Sequence, residues 1–151
     1  MALNFANNNS LANITALPSS ISGGGMTLIS EQTASSSATI DFTSGIDDTY
    51  DSYVFKFINM HPATDQVGFQ FNMSIDSGSN YNVTKTTTVF IGYHNEADNA
   101  ADLFYNGDND LAQSTAYQNL IFPTLSNDND SNTSGTLTLY NPSSTTFVKH
   151  F

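Results

Sequence analysis

Histidine is the side chain best suited to act as a metal ligand or a general base near neutral pH, and the chain has three of them, His61, His94 and His150. They lie on separate segments, and no two of them have the spacing typical of a zinc site. A folded site that joins His94, Glu96 and a distant aspartate stays open as an alternative. The spacing favours structural roles in loops and at strand ends.

Paired carboxylates are the second set of residues that could do chemistry, and they occur at Asp47, Asp48 and Asp51. Glycoside hydrolysis needs two carboxylates that face each other across a groove, which a loop doublet does not establish. The chain has no tryptophan to stack a sugar. It also has no nucleophile elbow, phosphate loop or dinucleotide fingerprint. We therefore predict a non-enzymatic protein with no catalytic residues and no cofactor, and keep a glycan depolymerase as the enzymatic alternative.

Two acidic loops resemble calcium-binding loops in composition. They are residues 108–110, Asp-Asn-Asp, and residues 128–132, Asp-Asn-Asp-Ser-Asn. Alternate oxygen ligands suit Ca²⁺, but neither loop has the glycine at the sixth position or the closing glutamate of an EF-hand. Solvated turns are therefore favoured over bound Ca²⁺, and we predict no metal-binding residues.

The charge balance excludes two classes of partner. Against 14 acidic residues the chain has three cations, Lys56, Lys85 and Lys149, which gives a formal net charge of -11. Three scattered lysines cannot neutralise a nucleic-acid backbone or bind an anionic membrane surface. No stretch approaches the ~20 apolar residues of a membrane span. The absence of cysteine excludes disulfides and thiolate metal sites, and the absence of a signal-peptide pattern at the start predicts synthesis without export.

Residues 1–25 differ from the rest and are predicted to form an N-terminal arm with a glycine hinge at its end. The arm is rich in Asn, Ser and Ala, and Gly23, Gly24 and Gly25 close it. Four apolar residues recur at spacings near three, and they are the predicted partner-binding residues: Leu11, Ile14, Leu17 and Ile21. The arm is either a disordered tail or an extended segment that docks on a neighbouring subunit.

From residue 26 onward the apolar period becomes two, which is typical of half-buried antiparallel strands. The eight predicted strands are residues 26–30, 38–43, 52–60, 68–75, 81–93, 117–122, 135–140 and 145–151. In the fourth, Phe69, Phe71, Met73 and Ile75 should share one buried face. Helix competes only over residues 96–103. The prediction for residues 26–151 is an all-β domain, an antiparallel, jelly-roll-like β-sandwich.

Several long phrases of the sequence resemble a group of largely uncharacterised, β-rich virion structural proteins from marine tailed bacteriophages, including cyanophage-like ones. They are LISEQTASSSATIDFTSGIDDTY (28–50), YVFKFINMHPATD (53–65), GSNYNVTKTTT (78–88) and NPSSTTFVKHF (141–151). The resemblance implies a virion structural protein and transfers no catalytic residue. Members of the group often continue through further β-rich sequence, so two alternatives stay open: the chain is part of a longer protein, or the predicted strand over residues 145–151 closes the sheet.

Composition and resemblance together predict a virion protein that is assembled in the host cytoplasm. Its predicted partners are capsid or tail proteins. A homo-oligomer is also predicted, with a trimer as one form. The favoured hypothesis is an outer-surface accessory protein of the capsid-decoration type, anchored by the arm. The alternative is a tail-fibre or baseplate adhesin that binds host-surface glycans. The residues suggested for such an adhesin are Tyr50, Tyr81, Tyr105 and Tyr117.

Overall fold

The computed structural model describes residues 25–151, and these contain six strands and no helix. The strands are β1 (Ser52–Met60), β2 (Gln70–Phe71), β3 (Phe90–His94), β4 (Ala101–Tyr105), β5 (Gln118–Asn119) and β6 (Thr133–Tyr140). They form three two-stranded antiparallel sheets, β1–β6, β2–β5 and β3–β4. The all-β prediction is thereby confirmed.

Strands β1 and β6 are the longest pair, and the residues of their inner face form the core. Tyr53 lies opposite Leu139 and Phe55 opposite Leu137, as the alternation of apolar residues predicts. Tyr53 and Leu139 are buried. Phe57, on the same face, packs edge-on against Phe69 with ring centroids 5.0 Å apart. The chain divides after Glu31 into two units, and all six strands belong to the second, Gln32–Phe151.

The predicted fourth strand is much shorter than its alternation suggested, because the Asn72 side chain competes with the ladder. The backbone N–H of Met73 donates to Asn72 Oδ1 at 2.9 Å, and such local bonds replace strand pairing. Strand β2 therefore ends at Phe71. Ile75 was predicted to be buried and is 89% exposed, so the expected four-residue buried face is wrong.

The predicted strand over residues 81–93 is also interrupted. Only β3 is regular; before it, Lys85 forms an isolated antiparallel bridge with Ser114. Two threonine hydroxyls accept backbone N–H groups of the facing segment: Thr86 Oγ1 from Gln113 at 3.1 Å and Thr87 Oγ1 from Leu111 at 2.8 Å. These side chains take donors that a continuous ladder would use.

Four further predicted segments differ from the structure. Residues 26–30 and 38–43 form no strand, because an apolar alternation identifies a face but supplies no neighbouring backbone. Residues 117–122 are reduced to β5, and residues 145–151 to an isolated bridge between His150 and Tyr140. Residues 96–103, where helix competed, form a turn that leads into β4. Residues 25–151 contain no helix with the length and apolar character needed to span a membrane.

Candidate functional site

The three histidines occupy separate environments. His61 Nε2 lies 3.0 Å from the carbonyl oxygen of Asp128, and His94 Nε2 lies 2.8 Å from Asp98 Oδ1 on an exposed turn. The carbonyl of His150 accepts the N–H of Tyr140 at 2.9 Å. Within residues 25–151, no three His, Asp or Glu side chains converge in a way that could hold a metal ion.

The two acidic loops are turns whose polar groups bond within the loop or to a neighbouring strand. In the first, the N–H of Asp108 donates to Asn106 Oδ1 at 3.1 Å, and Tyr105 donates its hydroxyl to Asp110 Oδ2. That hydrogen bond raises the pKa of Tyr105. In the second, Ser126 donates its hydroxyl to Asp128 Oδ2 at 2.6 Å.

A buried lysine was not foreseen from the sequence. Lys85 is 4% exposed, and its Nζ donates to Asn72 Oδ1 at 2.5 Å and to the carbonyl of Val83 at 2.9 Å. Asn72 Nδ2 in turn donates to the carbonyls of Tyr81 and Thr115 at 2.7 and 3.0 Å. Burial lowers the pKa of Lys85, since the charged form loses water. This Asn72–Lys85 hub joins three chain segments.

Two further tyrosines contact carboxylates. The hydroxyl of Tyr53 lies 3.0 Å from Asp47 Oδ1, and the N–H of Thr49 donates to the same oxygen at 2.9 Å. These bonds, those of Thr49 foremost, lower the pKa of Asp47. Partial burial and a hydrogen bond with Asp41 raise the pKa of Tyr81. These contacts hold loops beside the core. The hydroxyl of Tyr81 already bonds to Asp41 within the fold.

A polar groove of about 340 Å³ lies between the loop before β1 and the loop after β6. Its lining residues are Asp48, Tyr50, Asp51, Asn141, Ser143, Ser144, Thr145, Thr146 and Phe147. Tyr50 is partly exposed and packs edge-on against Tyr53, with ring centroids 5.9 Å apart. An aromatic ring beside carboxylates, an amide and hydroxyls offers both stacking and hydrogen-bonding groups to a polar ligand. Of the tyrosines predicted for glycan binding, the groove includes Tyr50.

An apolar face on the β3–β4 hairpin is the second candidate. Phe90 pairs with Tyr105 and Gly92 with Leu103, so these residues share one face. Phe90 is 69%, Leu103 75% and Tyr105 53% exposed. On the opposite face, Phe104 packs edge-on against Phe122 with ring centroids 6.0 Å apart, while Tyr93 remains 47% exposed. We refer to Phe90, Leu103 and Tyr105 as the hairpin face.

The predicted partner-binding residues of the arm are Leu11, Ile14, Leu17 and Ile21, and they lie outside residues 25–151, which the structure describes. The arm therefore stays a prediction. Sequence reasoning missed both the Asn72–Lys85 hub and the hairpin face. Lysine is usually a surface residue, so nothing marked Lys85. The predicted strand over residues 81–93 contains Phe90, but the pattern gave no indication that this side chain would stay exposed.

Comparison with known proteins identifies no relative. No protein family matches the chain. No curated protein and no solved structure matches it either. The resemblance to marine phage proteins therefore stays an expectation from sequence, and the functional interpretation rests on the groove and the apolar surface.

Proposed function

We propose that the protein is a non-enzymatic structural component of a phage virion, an outer-surface accessory protein of the capsid-decoration type. The observation that carries this proposal is the distribution of apolar side chains. Among residues 25–151, the only buried apolar residues are Tyr53 and Leu139, which are 4% and 7% exposed, whereas large apolar side chains are exposed on several elements, for example Ile58, Leu103 and Phe147. Where such side chains are neighbours, as Phe90, Leu103 and Tyr105 are on the β3–β4 hairpin, exposed apolar surface is typical of interaction sites.

The composition supports a role on a solvated particle surface. The net charge of -11 keeps the chain soluble at high copy number and disfavours nucleic acid as its partner. We propose that the domain is a β-sandwich in which β1–β6 faces the β2–β5 sheet. The contact of Phe57 on β1 with Phe69, one residue before β2, supports this arrangement.

The proposed anchor is the arm, whose apolar residues would dock on a neighbouring virion subunit. The test is a full-length variant in which Leu11, Ile14, Leu17 and Ile21 are replaced by Asp. The matched control replaces Asn7, Asn8, Asn9 and Ser10 by Asp, which adds the same charge without removing an apolar side chain. Each protein is added to particles that lack it, and its occupancy is measured by cryo-EM.

We expect the control to reach wild-type occupancy and the apolar variant to be nearly absent from particles. Full occupancy of the apolar variant would refute the anchor but leave the virion role standing. A wild-type protein that never associates with particles would refute the virion role itself.

The polar groove favours a second candidate function, a tail-fibre or baseplate adhesin that binds host-surface glycans. Tyr50 would stack on a sugar ring, and Asp48, Asp51 and Asn141 would bond its hydroxyls. A glycan array probed with wild type and Tyr50→Ala tests this function. Tyr117→Ala is the matched control, because Tyr117 is exposed to a similar extent and lies outside the groove. Binding that Tyr50→Ala retains in full would argue against the groove as the site.

A further inference from the structure

The Asn72–Lys85 hub places a primary amine against a side-chain amide at a site that water barely reaches. Nζ of Lys85 donates to Oδ1 of Asn72 at 2.5 Å, and Lys85 is 4% exposed. Asn72 directly follows β2, whereas Lys85 forms the bridge with Ser114, so the two side chains belong to separate segments. An amine and a carboxamide can condense to a secondary amide with the loss of ammonia, and lysine is a known nucleophile of this kind.

The amine is close enough to the carbon of the amide to react with it. A carbonyl bond is about 1.2 Å long, so Nζ of Lys85 cannot lie more than about 3.7 Å from Cγ of Asn72. Productive intramolecular reactions start with the reacting atoms about 3–3.5 Å apart. Rotation about the terminal bonds of the lysine side chain is therefore sufficient to turn the amine from the oxygen to the face of the carbon.

The amide of Asn72 is held in place through both its nitrogen and its oxygen. Nδ2 donates to the carbonyls of Tyr81 and Thr115, at 2.7 and 3.0 Å, and these two bonds fix the plane of the group. Oδ1 also accepts the backbone N–H of Met73 at 2.9 Å. A donor at this distance stabilises the negative charge that forms on the oxygen when a nucleophile adds to the carbon. The N–H of Met73 is thus placed to act as an oxyanion-hole donor.

Burial favours the reactive form of the amine. Only the neutral amine has a lone pair that can attack a carbon, and loss of water disfavours the charged form, which lowers the pKa of Lys85. The ion pair found among residues 25–151 joins His94 and Asp98, so no carboxylate of this part of the chain pairs with Lys85 to keep it charged. The carbonyl of Val83 accepts a hydrogen bond from Nζ at 2.9 Å and keeps the amine beside the amide.

We propose that Nζ of Lys85 and Cγ of Asn72 form an intramolecular isopeptide bond in the folded protein. The lone pair of the neutral amine forms the Nζ–Cγ bond, and the Cγ–Nδ2 bond breaks. Nδ2 takes one proton from Nζ and leaves as ammonia, so the step needs no oxidant and no other co-reactant. Because no carboxylate of the described residues assists the proton transfer, the reaction is slow and follows folding. The hydrogen-bonded hub is the state from which the reaction starts.

The isopeptide bond would close a covalent loop over residues 72–85 in a chain that has no cysteine. Such a link stabilises a fold mainly by constraining the unfolded chain, as a disulfide does, but a reductant does not break it. This inference goes beyond the proposed virion role and does not depend on it. A cross-linked protein that never joins particles would refute the virion role alone, and a particle protein without the bond would refute the isopeptide alone.

Mass spectrometry of the full-length chain tests the proposal, because the bond removes the mass of one ammonia. Wild-type protein is kept folded and sampled over time, while a second portion is kept unfolded in guanidinium chloride. We expect the lighter species to accumulate in the folded portion and not in the unfolded one. A folded wild type whose mass stays unchanged would overturn the proposal.

Trypsin locates the bond, because it cleaves after lysine and the only cations of the chain are Lys56, Lys85 and Lys149. A cross-linked Lys85 resists cleavage, so the unfolded lighter species should give a fragment of residues 57–149. The uncross-linked species should give residues 57–85 and 86–149 instead. Cleavage after Lys56 in both species shows that the digestion is complete. A lighter species that trypsin still cuts after Lys85 has lost ammonia elsewhere, which would count against the bond.

Two variants provide a matched comparison. Lys85→Met removes the nucleophile, and Lys56→Met removes an exposed amine instead. We expect Lys56→Met to lose ammonia at the wild-type rate and Lys85→Met to keep its full mass; the same loss from Lys85→Met would contradict the assignment. The wild-type measurement decides the matter even if a variant fails to fold. Stability differences due to the hydrogen bonds of the hub are measured against uncross-linked wild type, because the isopeptide adds a constraint of its own.

Discussion

The Asn72–Lys85 hub gives a prediction in which replacing one member should cost far more stability than replacing the other. Replacing Asn72 with Ala removes the bonds of Nδ2 to two carbonyls, at 2.7 and 3.0 Å, and those that Oδ1 accepts from Met73 N and Lys85 Nζ. A neutral hydrogen bond contributes about 0.5–1.5 kcal/mol, and one to a charged group about 1.5–3 kcal/mol. Because the ammonium of Lys85 stays buried with the carbonyl of Val83 as its remaining partner, we expect Asn72→Ala to lower the free energy of unfolding by about 3–5 kcal/mol.

Replacing Lys85 with Met should cost far less. The methionine has a similar length and needs no polar partner, and Asn72 Oδ1 keeps the N–H of Met73. The backbone of Lys85 keeps its two bonds to Ser114, at 2.8 and 2.9 Å. We expect Lys85→Met to change the free energy of unfolding by less than about 1 kcal/mol. Exposed Lys56 supplies the control variant Lys56→Met, which should be neutral.

The double variant separates two causes of the instability of Asn72→Ala: the hydrogen bonds that Asn72 loses, and the buried ammonium of Lys85 that is left without its partner. If much of the cost of Asn72→Ala comes from the stranded ammonium, Asn72→Ala with Lys85→Met should be about 2 kcal/mol more stable than Asn72→Ala alone. Urea unfolding followed by circular dichroism and tyrosine fluorescence measures this, at one protein concentration throughout since association shifts the midpoint. A double variant as unstable as the sum of the single variants would refute the reasoning.

Two further predictions concern tyrosine and carboxylate contacts outside the hub. Tyr53→Phe should lower the free energy of unfolding by about 1–2 kcal/mol in urea titrations, because it removes the buried hydroxyl that contacts Asp47, whereas Tyr140→Phe at an exposed site should be neutral. Hydrogen bonds from Ser74 and Asn80 hold the pKa of Asp76 at about 2, against its ordinary value of 3.8. As the pH falls, the Asp76 carboxyl therefore binds a proton at a higher pH in the unfolded chain than in the folded protein. The stabilisation that these hydrogen bonds give the folded protein is present above about pH 4 and is lost towards pH 2. The drop in melting temperature over that range should be smaller in Asp76→Asn, and an equal drop in both proteins would contradict the assignment.

The elements that alternation predicted best are those in which the backbone is the strongest hydrogen-bonding partner. Strand β1 has the predicted bounds, residues 52–60, and β6 includes the predicted residues 135–140. Over β1 no short polar side chain competes for the ladder except at its two ends, and β-branched and aromatic residues fit the pleated surface. The apolar face that contains Tyr53 is therefore the one that is buried.

Predictions failed where Asn, Ser and Thr side chains bond to nearby backbone. Asn72 ends β2, and Thr86 and Thr87 interrupt the pairing before β3. The same short polar side chains that suggested a β-rich protein also compete with β structure. Composition predicts the all-β fold class. It does not predict which threonine leaves its backbone to pair in a strand and which bonds through its hydroxyl to the facing backbone.

The candidate sites were harder to predict because they depend on what covers a face. Alternation over β3 assigns Phe90 and Ile91 to opposite faces, and the sequence gives no reason to prefer either for the core. The structure packs Phe104 against Phe122 on the face of Ile91, which is thereby partly covered, and leaves Phe90 69% exposed. An apolar stripe in a sequence indicates that a face favours burial, but it does not indicate which surface packs against that face. When the chain packs Phe122 against one side of a hairpin and leaves the other side exposed, alternation alone cannot tell which of the two stripes will be which.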